Sequence, residues 1–311
     1  MASFIRSFCG PCQSELTLSS LSRQHDHLQR TLEKRPPKLS LLVAACLVIS
    51  FASSASFFCP KARGQTTAKG PPTVLGDLDS RGIRGSLVIS GGGKPAPIIR
   101  DRFIALAGKS EAKLVIIPTA SLTADSPDKD HGLAWQDEKL STISVLHTRD
   151  RKKANDPEFV EPLKTATAVW FSGGSQSRLA EAYVGTLVET ELHALLARGG
   201  VIGGTSAGAA IMSRDMIASG KNEPQMGTGF GFLPYSIIDQ HFLARHRQPR
   251  SLKAVKAHPG RFGLGIDEGT ALEVTGRRMR VIGNSTVTVT LSPSPLREAS
   301  FTEVPADAVI D

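Results

Sequence analysis

Three kinds of side chain that could share one proton lie far apart in this chain: a serine at 206, a histidine at 241, and carboxylates at 267 and 268. The serine belongs to Val201-Ile202-Gly203-Gly204-Thr205-Ser206-Ala207-Gly208-Ala209-Ala210-Ile211, which reads as a buried strand, a sharp turn and the start of a helix. A hydroxyl at the tip of such a turn stands clear of the sheet, and the first N–H groups of the helix point at the oxygen of whatever it attacks. Gly204 and Gly208 let the backbone crowd the turn, and Ala207 offers one oxyanion N–H. A helix-capping serine in a tight loop would satisfy the same pentapeptide. What makes a nucleophile of it is a base beside the hydroxyl and an acid to orient that base.

Ile237-Ile238 is an apolar, strand-like pair followed by Asp239, Gln240 and His241, so polar groups collect where a strand leaves a core. Arg245, Arg247 and Arg250 follow within one short segment. Basic groups beside a base and an amide side chain suit a substrate carrying carboxylates, while Asp239 could pair a substrate guanidinium. Further on, Phe262-Gly263-Leu264-Gly265-Ile266 leads to Asp267 and Glu268, and Thr270 to Val274 continues as a strand. From spacing alone, either carboxylate could orient the imidazole. The order is serine, histidine, acid. Gly204 to Gly208 also fits the G-x-S-x-G pattern of α/β-hydrolases, but those enzymes run serine, acid, histidine. That order would need Asp239 with His258, which stands in a polar loop before Pro259-Gly260.

Four separated segments then come together: Gly204-Thr205-Ser206-Ala207-Gly208-Ala209, Asp239-Gln240-His241-Phe242-Leu243 with its arginines, Gly265-Ile266-Asp267-Glu268, and Phe171-Ser172-Gly173-Gly174-Ser175-Gln176. In this order, from about Gly85 to the C-terminal region, the chain resembles the cyanophycinases, serine peptidases related to aspartyl dipeptidase (peptidase E). The resemblance implies a fold like that of the class I glutamine amidotransferases and a Ser206, His241, Glu268 triad, selecting Glu268 over Asp267. It also implies that Gln176, Asp239, Gln240, Arg245, Arg247 and Arg250 form a pocket for a β-linked aspartyl-arginine unit. The expected reaction is hydrolysis of cyanophycin, multi-L-arginyl-poly-L-aspartate, to β-Asp-Arg dipeptides through an acyl-enzyme, with neither cofactor nor metal. Ser175 departs from the family, where an acidic residue is common, and bears on substrate preference. The competing readings are an aspartyl dipeptidase, an esterase, and an exported binding protein without catalysis.

The elements that must position these residues alternate along the chain. Ser86-Leu87-Val88-Ile89-Ser90, leading into Gly91-Gly92-Gly93, reads as a strand, as do Lys113 to Ile117, Ser144 to Leu146 and Ala168 to Phe171. Helices are expected around Ile98 to Ala107 and from Gln176 to Ala197. Apolar strands separated by helices predict an α/β fold, a three-layer sandwich around a mostly parallel sheet. Ala271 to Val274, Met279 to Ile282 and Thr286 to Leu291 predict an antiparallel, β-rich C-terminal edge. Ligands of such sheets sit beyond the carboxyl ends of the strands, where the glycine turns, Ser206 and His241 can converge. Gly174 is the candidate second oxyanion donor. The triple glycine lacks the spacing that a phosphate cradle requires.

The 311 residues divide at 58 and 84. Leu39 to Phe58 is a nearly continuous apolar run behind Lys34-Arg35-Pro36-Pro37-Lys38 and contains the small-residue stretch Ala52 to Ser56, so residues 1–58 read as an export leader cleaved after Ala55. An uncleaved membrane anchor through 39–58 is the competing expectation. Residues 59–84 are rich in glycine, proline, threonine and lysine and read as a linker, leaving 85–311 as the peptidase domain. Export places the protein in a periplasm, outside the cell or on a membrane; a homodimer is the candidate assembly. Cys9, Cys12, Cys46 and Cys59 all precede residue 60, so the expected catalytic domain folds without disulfides. Cys9-Gly10-Pro11-Cys12 has redox spacing but no strand leading into it. A net charge of +8 permits acidic partners, yet no aromatic-interleaved basic patch points to nucleic acid.

Overall fold

The computed structural model describes residues 82–310, apart from 94–95 and 127–128. The leader, the anchor alternative, the cysteines and the linker through residue 81 lie outside the described residues. The first half runs β1 (Ile83–Ser90), α1 (Pro97–Ala107), β2 (Lys113–Ile117), β3 (Thr142–Val145), α2 (Arg151–Ala154), α3 (Glu161–Thr165), β4 (Ala168–Phe171), α4 (Gln176–Tyr183), α5 (Leu187–Ala197), β5 (Val201–Thr205) and α6 (Ala207–Ala210). The second half is mostly β: β6 (Asp215–Ser219), β7 (Gln225–Thr228), β8 (Ser236–Gln240), α7 (Gln248–Ala257), β9 (Phe262–Ile266), β10 (Thr270–Gly276), β11 (Arg278–Gly283), β12 (Thr286–Leu291), β13 (Ser300–Pro305) and β14 (Val309–Ile310).

Eight strands form the main sheet in the order β14-β11-β10-β1-β5-β4-β2-β3. The block β1-β5-β4-β2-β3 is parallel, and β10, β11 and β14 extend it antiparallel past β1. Leu87, Ile89, Val115, Ile117, Val169 and Phe171 pack in one cluster with Leu192 and Leu195 of α5, whereas Val88, Leu114, Ile116 and Trp170 pack with Ile99 and Phe103 of α1. Alternate residues of one strand thus feed opposite helical layers, which is why these strands read as unbroken apolar runs. Each such buried side chain contributes roughly 1.5–3 kcal/mol. The α/β, three-layer, mostly parallel architecture expected from the sequence is the observed one.

Two local expectations need correction. The helix expected from Gln176 to Ala197 is two, because Gly185 takes φ +75° between α4 and α5, a left-handed turn that no helix continues through. At the C-terminal end, β10 and β11 do form the antiparallel edge, but β12 leaves it for a second sheet of order β13-β12-β9-β8, in which β8 and β9 are parallel. Ser206 therefore follows a strand of the main sheet, while His241 and Glu268 follow strands of the second. Backbone bonds join them: His241 N–H donates to Gly91 O at 2.6 Å and Gly269 N–H to Gly92 O at 3.2 Å.

Candidate active site

Ser206 sits between β5 and α6 with φ 54° and ψ −107°, a conformation that costs a non-glycine residue of order 1–3 kcal/mol and that its surroundings must enforce. Its N–H donates to Ser90 O at 3.0 Å, and its own carbonyl accepts from Ala209 and Ala210, each at 3.0 Å. A Cβ on Gly204 would come within 2.6 Å of Gly208 O, and one on Gly208 within 2.5 Å of Phe171 O, so both glycines are sterically required. Ala207 opens the helix, where an N–H has no intrahelical acceptor.

His241 follows β8 directly and is buried, at φ 49°. Its Nε2 lies 2.8 Å from Ser206 Oγ, and its Nδ1 meets Glu268 Oε1 in a very short contact. Burial pushes the imidazole below the ordinary histidine range; the bond to Glu268 pulls it back up, and Arg245 adds to the lowering. A neutral ring that donates from Nδ1 to Glu268 leaves Nε2 free to accept the serine proton. The triple glycine packs against this pair. A Cβ on Gly92 would stand 2.5 Å from His241 Nε2, and Gly93 faces the Glu268 side chain.

The choice between the two carboxylates that spacing left open has a geometric answer. Asp267 Oδ1 accepts the N–H groups of Leu243 and Ala244 at 3.1 and 3.0 Å, and Oδ2 accepts from Ser285 Oγ at 3.3 Å. It holds the loop after His241, and Glu268 meets the ring.

A cavity of about 660 Å³ opens in front of Ser206, lined among others by Gly174, Gln176, Gln240, Arg245, Arg247 and Arg250. Gln240 Oε1 is 3.4 Å from Ser206 Oγ, and Gln176 Nε2 donates to Ile217 O at 2.7 Å. Gly174, at φ 139°, lies in a turn against Ser206, where a Cβ on Gly173 would be 3.6 Å from Ser206 Cβ. Ser175 N–H donates to Ala120 O at 2.9 Å, and Gly174 passes so close to that carbonyl that no side chain fits.

Asp239 corrects the sequence reading. It does not line the cavity: its side chain is wholly buried, Arg250 grips it with Nε at 2.8 Å and with Nη2, and Arg247 Nη1 reaches Oδ1 at 3.3 Å. Buried and paired with both arginines, it presents no carboxylate to the cavity for a substrate guanidinium, and it holds two pocket arginines instead. The acid and histidine of the esterase order are also apart in purpose, since His258 ends α7 with Nδ1 2.8 Å from Ala254 O. Sequence reading missed the hairpin β6–β7, whose Ala218, Ser219, Gly220 and Lys221 form another wall of the cavity. Apolar Met216-Ile217-Ala218 running into Gly220-Lys221-Asn222 was the available hairpin signal.

The profile of peptidase family S51 matches residues 86–282. This chain belongs to peptidase family S51. It is 34% identical over 219 residues to a cyanophycinase of Geminocystis herdmanii, covering 67% of this chain and 80% of that one. A cyanophycinase of Synechococcus elongatus is 35% identical over 209 residues, 64% of each chain. Among solved structures, a peptidase from an acI-B1 Actinobacterium superposes with a TM-score of 0.58 at 24% identity, over 73% of this chain and 97% of that one, and so shares the fold. As a member of S51 the protein is a hydrolase, a serine-type peptidase.

Proposed function

We propose that this S51 peptidase hydrolyses cyanophycin to β-Asp-Arg dipeptides, with Ser206 as nucleophile, His241 as general base and Glu268 as the acid that orients the imidazole. The observation that carries the mechanism is the 2.8 Å approach of Ser206 Oγ to His241 Nε2 at a strained turn that opens onto a cation-lined cavity. Nε2 takes the hydroxyl proton as Oγ bonds to the scissile carbonyl carbon. Glu268 stabilises the imidazolium that results. The N–H groups of Ala207 and Gly174 receive the oxyanion, His241 returns its proton to the departing amine, and water activated by the same imidazole releases the acyl group. The identity to two cyanophycinases supports the substrate, and the pocket cations supply donors for the free carboxylates that its arginyl branches carry.

Mass spectrometry of wild-type digests of cyanophycin tests this: β-Asp-Arg is the expected product, absent with Ser206→Ala. Cleavage of aspartyl dipeptides with the polymer left intact would move the assignment to an aspartyl dipeptidase. The same reading includes export through a leader in residues 1–58, cleaved after Ala55. An N-terminal sequence of the secreted protein beginning at Ser56 is the expected result, and a membrane-bound chain retaining 39–58 the contrary one.

A further inference from the structure

Four cationic side chains line the cavity before Ser206, namely Lys221, Arg245, Arg247 and Arg250, and no carboxylate does. Asp239 beneath the pocket occupies two of the four, gripped by Arg250 and touched by Arg247. Lys221 and Arg245 have no such partner among the described residues. They arrive on separate elements, Lys221 on the turn of the β6–β7 hairpin and Arg245 on the loop after β8. The hairpin is bound down onto the site, since Gln176 donates to Ile217 O and Arg250 Nη1 to Gly220 O. Glu223, the carboxylate of that turn, is paired with Lys253 of α7 and leaves Lys221 uncompensated. Two unpaired charges of one sign at one cavity repel each other, and an anionic group relieves that repulsion.

We infer that Lys221 and Arg245 form a subsite for the free α-carboxylate of the arginyl branch, a role that rests on the aspartyl-arginine reading above, and that the branch guanidinium gains no ionic partner in the cavity. Lys221 thereby becomes a specificity-determining residue, and selection falls on the carboxylate of the branch rather than on its cation.

Protection of Ser206 from a fluorophosphonate label tests this with two dipeptides. β-Aspartyl-citrulline keeps the carboxylate and lacks the cationic charge; β-aspartyl-agmatine keeps the guanidinium and lacks the carboxylate. With the wild-type full chain, the citrulline compound should protect at roughly tenfold lower concentration. Lys221→Met should cut that ratio to about threefold or less, and Lys221→Arg should preserve most of it because charge and donors remain. Each variant's unprotected labelling rate normalises its own ratio. Equal protection of the wild type by both compounds, protection by neither, or a ratio unmoved by Lys221→Met overturns the subsite. Polymer turnover is read separately: if cyanophycin is not cleaved while the citrulline compound still protects selectively, the polymer assignment falls and the carboxylate subsite stands.

Discussion

Among the described residues two hydroxyl–imidazole–carboxylate chains stand out: the hydroxyl of one lines the cavity, and that of the other is buried against a tyrosine. In the first, Ser206 Oγ stands 2.8 Å from His241 Nε2, and Nδ1 meets Glu268. In the second, Thr119 Oγ1 stands 2.8 Å from His147 Nδ1, and Nε2 is 2.8 Å from Asp125 Oδ1. The pairings are alike, with the ring nitrogens exchanged. Their surroundings are not. Thr119 is fully buried, and its hydroxyl also bonds Tyr183 OH at 2.7 Å, which itself accepts from Thr148 N–H at 3.1 Å. Asp125 is shared with Arg149, whose Nε lies 2.7 Å from Oδ2, and that guanidinium first, then His147, holds its carboxyl below the usual carboxylate range. Residue types and distances therefore do not distinguish the proposed nucleophile from the buried threonine. Access, a strained backbone at the hydroxyl and nearby oxyanion donors do.

The sharpest way to break the comparison is to remove each hydroxyl. Ser206→Ala should lower turnover by about 10⁴- to 10⁶-fold and abolish fluorophosphonate labelling. Labelled peptide recovered at Thr119 would contradict the contrast outright. Next comes the acid of each chain. Glu268→Gln should cost on the order of 10³- to 10⁴-fold in turnover, because the imidazole loses its orienting partner, whereas Asp125→Asn should change turnover by less than about tenfold.

The pH profile sharpens the same point. In the proposed mechanism His241 acts as a base in its neutral form, and burial holds it below the ordinary histidine range, so activity should persist below about pH 6.5 and fall only as pH drops through the lowered value. The bond to Glu268 raises that value, so in Glu268→Gln the residual activity should show its acid limb at still lower pH. An acid limb that stayed in place would mean that Glu268 does not act on the imidazole.

How much of this was legible in the sequence depends on whether each residue's partner is local. β1, β2, β4 and the turn at Ser206 could be read because strands buried on both faces are short apolar runs, and because Gly204 and Gly208 mark the crowding beside the serine. Ile237-Ile238 and Thr286 to Leu291 also read as β, but that β8 and β12 belong with β9 to a second sheet could not be read. β9 carries Gly263 and Gly265, which look like loop residues, and only the fold reveals that Gly265 makes room for the Phe242 ring behind His241. Asp239 looked like a ligand beside Gln240 and His241, because its partner Arg250 lies eleven residues on and is brought back only by α7. The preference for Glu268 came from the family resemblance, since adjacent carboxylates in a loop differ in direction, which spacing does not encode.

The smallest activity effect belongs to the second chain and shows what it is for. Thr119→Val removes a hydroxyl that serves both His147 Nδ1 and Tyr183 OH, leaving polar groups short of partners in a buried place, at a cost of about 1–3 kcal/mol in chemical denaturation. The stretch it anchors also carries Ala120, whose carbonyl takes Ser175 N–H at 2.9 Å and Arg178 Nη1 at 2.9 Å, so the turn bearing Gly174 leans on this network. Slight loosening of that turn should lower turnover by less than about tenfold, well short of the loss from removing an oxyanion donor. Stability should thus fall more visibly than rate. The reverse result, unchanged denaturation with turnover down more than about a hundredfold, would make Thr119 a participant in the chemistry and end the distinction between the two chains.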